Sequence, residues 1–165
     1  MGLLTDDGKP GGRAAEPPNE KLQLWLMDMN IQYFVNKPIT MDQFTGLLKE
    51  TTLGGRRPLE NQECIQGMLD HADLLITAWS DDKLVGVARS VTDFHYCCYL
   101  SDLAVSESVQ ARGIGKELIR QTFGALKPGC KIFLVSAPQA VDFYPKIGFT
   151  YHPSAWMMAS ADELR

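Results

Sequence analysis

The chain has 165 residues, 45% of them hydrophobic and 22% charged, which is enough for one domain with a core of its own and ordinary for a globular protein. Its net charge of −4 speaks against non-specific nucleic-acid binding, and no apolar run approaches the roughly eighteen residues of a membrane span. Asp6 and Asp7 stand where a secretory signal would carry positive charge, so the expected compartment is the cytoplasm.

Residues 1–20 are rich in Gly, Pro, Asp and Glu and have almost nothing to bury. A flexible N-terminal extension is expected over 1–30, with the folded domain over 31–165. Leu22 to Met27 is apolar at odd and even positions alike, so strand and helix are not separable there; Met29 is a candidate alternative start. Ile31–Val35 reads as a first strand. Thr40-Met41-Asp42-Gln43 is a capping box, opening a helix with Met41, Phe44, Leu47 and Leu48 on one face and Gly54-Gly55 at its end. Pro58 is expected to start a second helix, with Ile65, Met68, Leu69 and Ala72 inward. Leu74–Trp79, the turn Ser80–Lys83 and Leu84–Val91 form a strand–turn–strand pattern.

The central stretch runs from Asp102 to Leu118. Tyr99, Leu100, Leu103 and Val105 suit a buried strand. Leu118, Ile119, Phe123 and Leu126 recur at helical spacing, and Lys127-Pro128-Gly129 stops the helix. Gly113 and Gly115 open that helix, so backbone N–H groups and the positive end of the helix dipole face whatever lies before it. This is a site for an anion, most naturally phosphate. Strand Lys131–Ser136, a short helix from about Gln139 and strands around Phe149–Tyr151 and Ala155–Ala159 complete the order, a mixed α/β sheet. Cys64, Cys97, Cys98 and Cys130 show no Cys-x-x-Cys spacing and His71, His95 and His152 are scattered, so the cysteines read as small apolar residues and no metal is expected.

The turn does not fit a P-loop, because Gln110 replaces the first Gly and Glu117 the metal-binding hydroxyl. Nor does it fit a dinucleotide fingerprint, because Leu118 takes the third Gly position and Phe133–Val135 stand where an acidic residue belongs. It fits Gln/Arg-x-x-Gly-x-Gly/Ala, as Gln110-x-x-Gly113-x-Gly115. With Leu103-Ala104-Val105 before it and Phe143-Tyr144-Pro145-Lys146-Ile147-Gly148-Phe149 after it, the chain resembles the GNAT superfamily of acyl-CoA-dependent N-acetyltransferases. The likeness covers about residues 31–160 by element order and is sharp from about 98 to 149.

That resemblance implies a GNAT-like fold: a mostly antiparallel sheet of about seven strands with about four helices. It implies acetyl-CoA as cosubstrate and a primary amine, of a small molecule or a protein, as acceptor. Neither nucleic acid nor membrane is expected as a partner, and a homodimer is allowed. It implies pyrophosphate contacts around Gln110 from the backbone of Ala111, Arg112, Gly113, Ile114, Gly115 and Lys116. It further implies that the Leu103–Ala104–Val105 strand splays from the next one, with a bulge near Ser101–Asp102, and pairs its backbone with the pantetheine arm. Leu103 and Val105 are also good core residues.

For proton transfer, Tyr144 is the candidate acid near the thioester sulfur. Asp102 interrupts an apolar strand and is either a base or a structural hydrogen-bonding residue, with Asp93 and His95 as weaker rivals. Arg56, Arg57 and Arg89 suit either an anionic group on the acceptor or the surface. The alternative function is a catalytically silent CoA-binding sensor or interaction module.

Overall fold

A computed structural model describes residues 30–163. The expected extension over 1–30, apart from its last residue, lies outside the described residues, as do Leu22–Met27 and Met29.

Five strands form one sheet in sequence order: β1 Ile31–Val35, β2 Leu74–Ser80, β3 Lys83–Thr92, β4 Cys97–Val105 and β5 Lys131–Phe133. The first three junctions are antiparallel and β4–β5 is parallel. Among the described residues four helices accompany them: α1 Met41–Lys49, α2 Gln62–Asp70, α3 Ile114–Ala125 and α4 Phe143–Lys146. The mixed α/β, GNAT-like architecture is the expected one. No helix among the described residues is long and apolar enough to cross a membrane.

The capping box forms as its residues dictate. Thr40 Oγ1 accepts from the Gln43 backbone N–H at 3.1 Å, and the Thr40 N–H donates to Gln43 Oε1 at 2.9 Å. The second helix starts later than Pro58 suggests. A 3-10 turn takes Gly54–Arg56, and α2 begins at Gln62, where the Asn61 side chain accepts from the Cys64 N–H and so replaces Pro58 as the start signal.

Each face of the sheet has its own core. Phe44, Leu47 and Leu48 of α1 and Ile65 of α2 pack on Leu75, Trp79, Leu84, Val87 and Ala104. Ile114, Leu118 and Ile119 of α3 pack on Leu74, Ile76, Ala78, Val85 and Leu100. Burying one such side chain contributes about 1.5–3 kcal/mol. Phe123, read as inward from its spacing, is 47% exposed instead, because the described elements leave that side of α3 uncovered. A Cβ on Gly86 would lie 3.1 Å from Leu118 Cδ1 and 3.3 Å from Ile114 Cγ2. The start of α3 is thus pressed directly onto β3, which fixes the turn that precedes it.

The C-terminal third departs from expectation. The strand expected over Lys131–Ser136 stops at Phe133, and neither Phe149–Tyr151 nor Ala155–Ala159 forms a strand, so the sheet has five strands rather than about seven among the described residues. Tyr151, Trp156 and Met157 are 85–94% exposed. Apolar character there is not matched by a paired backbone, and strand propensity without a partner does not make a strand.

Candidate active site

The Gly-x-Gly turn joins β4 to α3. Gly113 has φ +79° and caps the helix, and Ala111 also has a positive φ, +62°. This left-handed geometry costs a non-glycine residue about 1–2 kcal/mol. It turns successive N–H groups toward one side, an arrangement that suits an anion. The first helical bond runs from the Glu117 N–H to the Gly113 carbonyl at 2.9 Å. The N–H groups of Ile114, Gly115 and Lys116 therefore lack an acceptor four residues back. Among the described residues the Ala111, Arg112 and Gly113 N–H groups find no backbone acceptor either. Arg112 and Lys116 are exposed and form no ion pair among the described residues. A Cβ on Gly115 would meet only Val105 Cγ2 at 3.7 Å and Phe143 Cζ at 4.0 Å, so the space over it is open and lined by β4 and α4.

The β4 edge beside this turn is free. β4 and β5 pair only through Cys97–Tyr99 and Lys131–Phe133. Beyond Tyr99 the two strands part, and among the described residues no strand pairs with Leu100–Val105 on that side. Gln110 Nε2 donates to the Val105 carbonyl at 3.0 Å, so one of the edge groups is engaged by the turn itself. The register passes from Ser90↔Leu100 to Arg89↔Asp102, and Ser101 is the extra residue of a bulge. The bulge shifts the alternation of faces. Leu100, Leu103 and Val105 face α3, while Ala104 packs against α1 and α2.

Asp102 points to the α1–α2 side and is 1% exposed. Its Oδ1 accepts from Arg57 Nε at 2.6 Å, and its Oδ2 accepts from Arg89 Nε. Arg57 Nη2 donates to the Ser101 carbonyl at 2.8 Å, and Arg89 Nη2 to Ser101 Oγ at 2.8 Å. Arg89 Nη1 also reaches the Met68 carbonyl of α2 at 3.2 Å. Arg57 and Arg89 therefore neither lie on the open surface nor point freely at a ligand. Arg89 is 5% exposed. Arg56 is exposed. Sequence reading weighed these arginines as substrate contacts or surface charges and did not pair them with Asp102. The available signal was Arg89 interrupting an apolar strand as Asp102 does: two lone opposite charges on neighbouring strands satisfy each other.

Of the rival bases, Asp93 sits in the β3–β4 turn, where its Oδ1 accepts from the His95, Tyr96 and Cys97 N–H groups. Those bonds, Tyr96 first, lower its pKa. His95 is exposed, with Nδ1 2.9 Å from the Asp93 carbonyl oxygen. The turn and the Leu103–Val105 edge are brought together; Asp93 and His95 are tied to a separate turn.

Tyr144 is half-buried on α4, which borders the turn through Phe143. Its ring packs edge-on against Phe143 and Phe149, with centroids 5.3 and 5.4 Å away. Its hydroxyl has no hydrogen-bond partner among the described residues. Burial raises its pKa above 10.0, so the phenol keeps its proton through the neutral range. No group of metal-ligating side chains is found among the described residues.

Residues 56–157, more than half of the chain, match the family model of an acetyltransferase (GNAT) domain. The chain is 30% identical over 97 residues to an uncharacterized N-acetyltransferase, ycf52, of Pyropia yezoensis, an alignment covering 58% of this chain and 52% of that protein. It thus spans about half the length of that curated relative. By fold it is similar to a probable acetyltransferase of Staphylococcus aureus, at TM-score 0.64 and 20% identity over 79% of this chain and 98% of that one. It is also similar to an aminoglycoside N-acetyltransferase solved with CoA, at TM-score 0.60 and 19% identity over 81% of this chain and 96% of that one. The chain belongs to the GNAT acetyltransferase family.

Proposed function

We propose that the protein moves an acetyl group from acetyl-CoA to a primary amine by direct attack on the thioester. The observation that carries this reading is the run of N–H groups from Ala111 to Lys116 that find no backbone acceptor among the described residues, set beside the β4 edge that no described strand pairs. One feature suits a pyrophosphate and the other an extended amide-bearing arm. The similar aminoglycoside N-acetyltransferase was solved with CoA, which supports the same cosubstrate here. The acceptor is an amine of a small molecule or a protein, and the reaction belongs in the cytoplasm on this reading.

The amine nitrogen bonds to the thioester carbonyl carbon as the C–S bond breaks, and the departing sulfur takes a proton. Tyr144 supplies it: its hydroxyl has no partner among the described residues and stays protonated through the neutral range. The amine must first lose its own proton, since only the neutral form attacks. Asp102 is badly placed to accept it, because both its oxygens already hold guanidinium groups, that of Arg89 buried and that of Arg57 partly so, which would lose their counter-charge. The proton leaves through solvent instead, and Asp102 serves the frame.

The test is release of free thiol from acetyl-CoA across a panel of amines, with calorimetry of CoA binding alongside. Amine-dependent thiol release is expected. Tight CoA binding with no release for any amine would favour a silent CoA-binding module.

A further inference from the structure

We propose that Arg57, Asp102 and Arg89 form a positioning clamp that sets the free β4 edge at the distance and angle needed by the pantetheine arm. The inference rests on the acetyl-CoA reading above. The bulge lies where β4 has just left β5, so neighbouring backbone no longer holds that side of the strand. Side chains hold it instead. Arg57 comes from the loop before α2 and grips both the Ser101 carbonyl and Asp102. Arg89, on β3, grips Ser101 Oγ, Asp102 and the α2 backbone at Met68. Every polar side-chain atom of Ser101 and Asp102 is thereby engaged, Asp102 Oδ1 from the loop before α2 and the other two from β3.

The loop that delivers Arg57 is itself fixed. A Cβ on Gly54 would lie 2.5 Å from the Leu48 carbonyl oxygen, so the chain rides directly on the end of α1 and only glycine fits. Arg57 Nη1 donates back to the Arg56 carbonyl at 3.0 Å, which fixes the plane of the guanidinium. A planar fork that serves a carboxylate and a carbonyl together transmits the position of this loop to the bulge; a lysine ammonium cannot reproduce that geometry. The same fork sets where Leu103 and Val105 present their backbone.

Arg57 is the residue to change, because its removal leaves Asp102 still paired with Arg89, a one-to-one ion pair with no uncompensated charge. The experiment measures the affinity of full-length wild type, Arg57→Ala and Arg57→Lys for two ligands by calorimetry, with a thermal melt of each. The ligands are acetyl-CoA and the nucleotide half of coenzyme A, which lacks the pantetheine arm. Arg57→Ala is expected to weaken acetyl-CoA about tenfold, the equivalent of one well-placed hydrogen bond, and to leave the nucleotide half unchanged. Arg57→Lys should restore the melting temperature but not the acetyl-CoA affinity. Equal losses for both ligands, or no loss for either, would overturn the clamp while leaving the acetyl-CoA reading intact. A wild-type protein that binds neither ligand would remove the reading itself and the clamp with it.

Discussion

At the β4 bulge both oxygens of Asp102 are taken, one by each guanidinium, and the residue is sealed from solvent. At α4 the situation is reversed. Four residues of helix, interrupted by Pro145, carry a tyrosine whose ring is wedged between Phe143 and Phe149 and whose hydroxyl is unengaged among the described residues. Both Asp102 and Tyr144 suggest themselves for proton transfer from sequence. Only Tyr144 keeps a proton that can move without dismantling its surroundings. A group that holds the frame is satisfied on every side, and a group that reacts needs a free bond.

The sharpest way to break this comparison is Asp102→Asn. Losing the charge leaves the buried Arg89 and the partly buried Arg57 guanidiniums uncompensated, and about 3–5 kcal/mol of stability should go with it in urea denaturation. The remaining activity should keep the wild-type shape of its pH–rate profile. A variant of unchanged stability whose rate recovers only at high pH would return Asp102 to the base role.

Gly115→Val attacks the anion turn without touching the bulge. Its Cβ meets only ordinary contacts within the protein, so the thermal melt should be nearly unchanged. The added side chain fills the space over the Gly115 and Lys116 N–H groups. Losing one or two charge-assisted bonds of about 1.5–3 kcal/mol each should raise the Kd for acetyl-CoA at least about tenfold. Unchanged affinity in the folded variant would move the cofactor away from this turn.

Tyr144→Phe tests the reactive side. The ring keeps its packing and only the hydroxyl is lost, so kcat should fall roughly ten- to a thousandfold with little change in KM for acetyl-CoA or in stability. Because burial raises the phenol pKa, the wild-type rate should not decline on its account until the pH has passed the ordinary tyrosine range. A near-wild-type kcat, with chemistry limiting, would exclude Tyr144.

Much of this was legible in the sequence because it is local. The capping box, the apolar runs of β2 and β3 on either side of their turn, and the glycines at the start of α3 are each written within a few residues. The Arg57 and Arg89 contacts to Asp102 span 45 and 13 positions and depend on strand register, which Ser101 shifts by one. The expected strands after Phe149 failed for a related reason. Trp156, Met157 and Met158 have strand-like composition, but pairing needs a neighbour that no short stretch encodes. Pro58 is the more familiar start signal, but the cap that forms is Asn61, whose side chain accepts from the Cys64 N–H.

The smallest expected effect comes from a second ion-pair cluster on β4, at its other end. Glu50, just past α1, accepts from Ser106 Oγ at 2.6 Å and lies 2.8 Å from Lys83 Nζ, tying the end of β4 to the helix before the turn begins. The hydrogen bond from Lys83, then that from Ser106, lowers its pKa. A carboxylate with a lowered folded pKa contributes stability that is present above the unfolded value and lost as pH falls through the folded one. Yet the Glu50 and Lys83 side chains are 38% and 58% exposed, so water and salt screen the pair. Glu50→Gln should therefore cost at most about 0.5 kcal/mol near neutral pH, and most of that should vanish at about 1 M salt. Urea melts of Glu50→Gln and Asp102→Asn at low and high salt measure the contrast directly. The Asp102 loss should persist in salt because Asp102 and Arg89 are both buried. A salt-insensitive Glu50 loss of comparable size would mean that the end of β4 is held as firmly as its bulge.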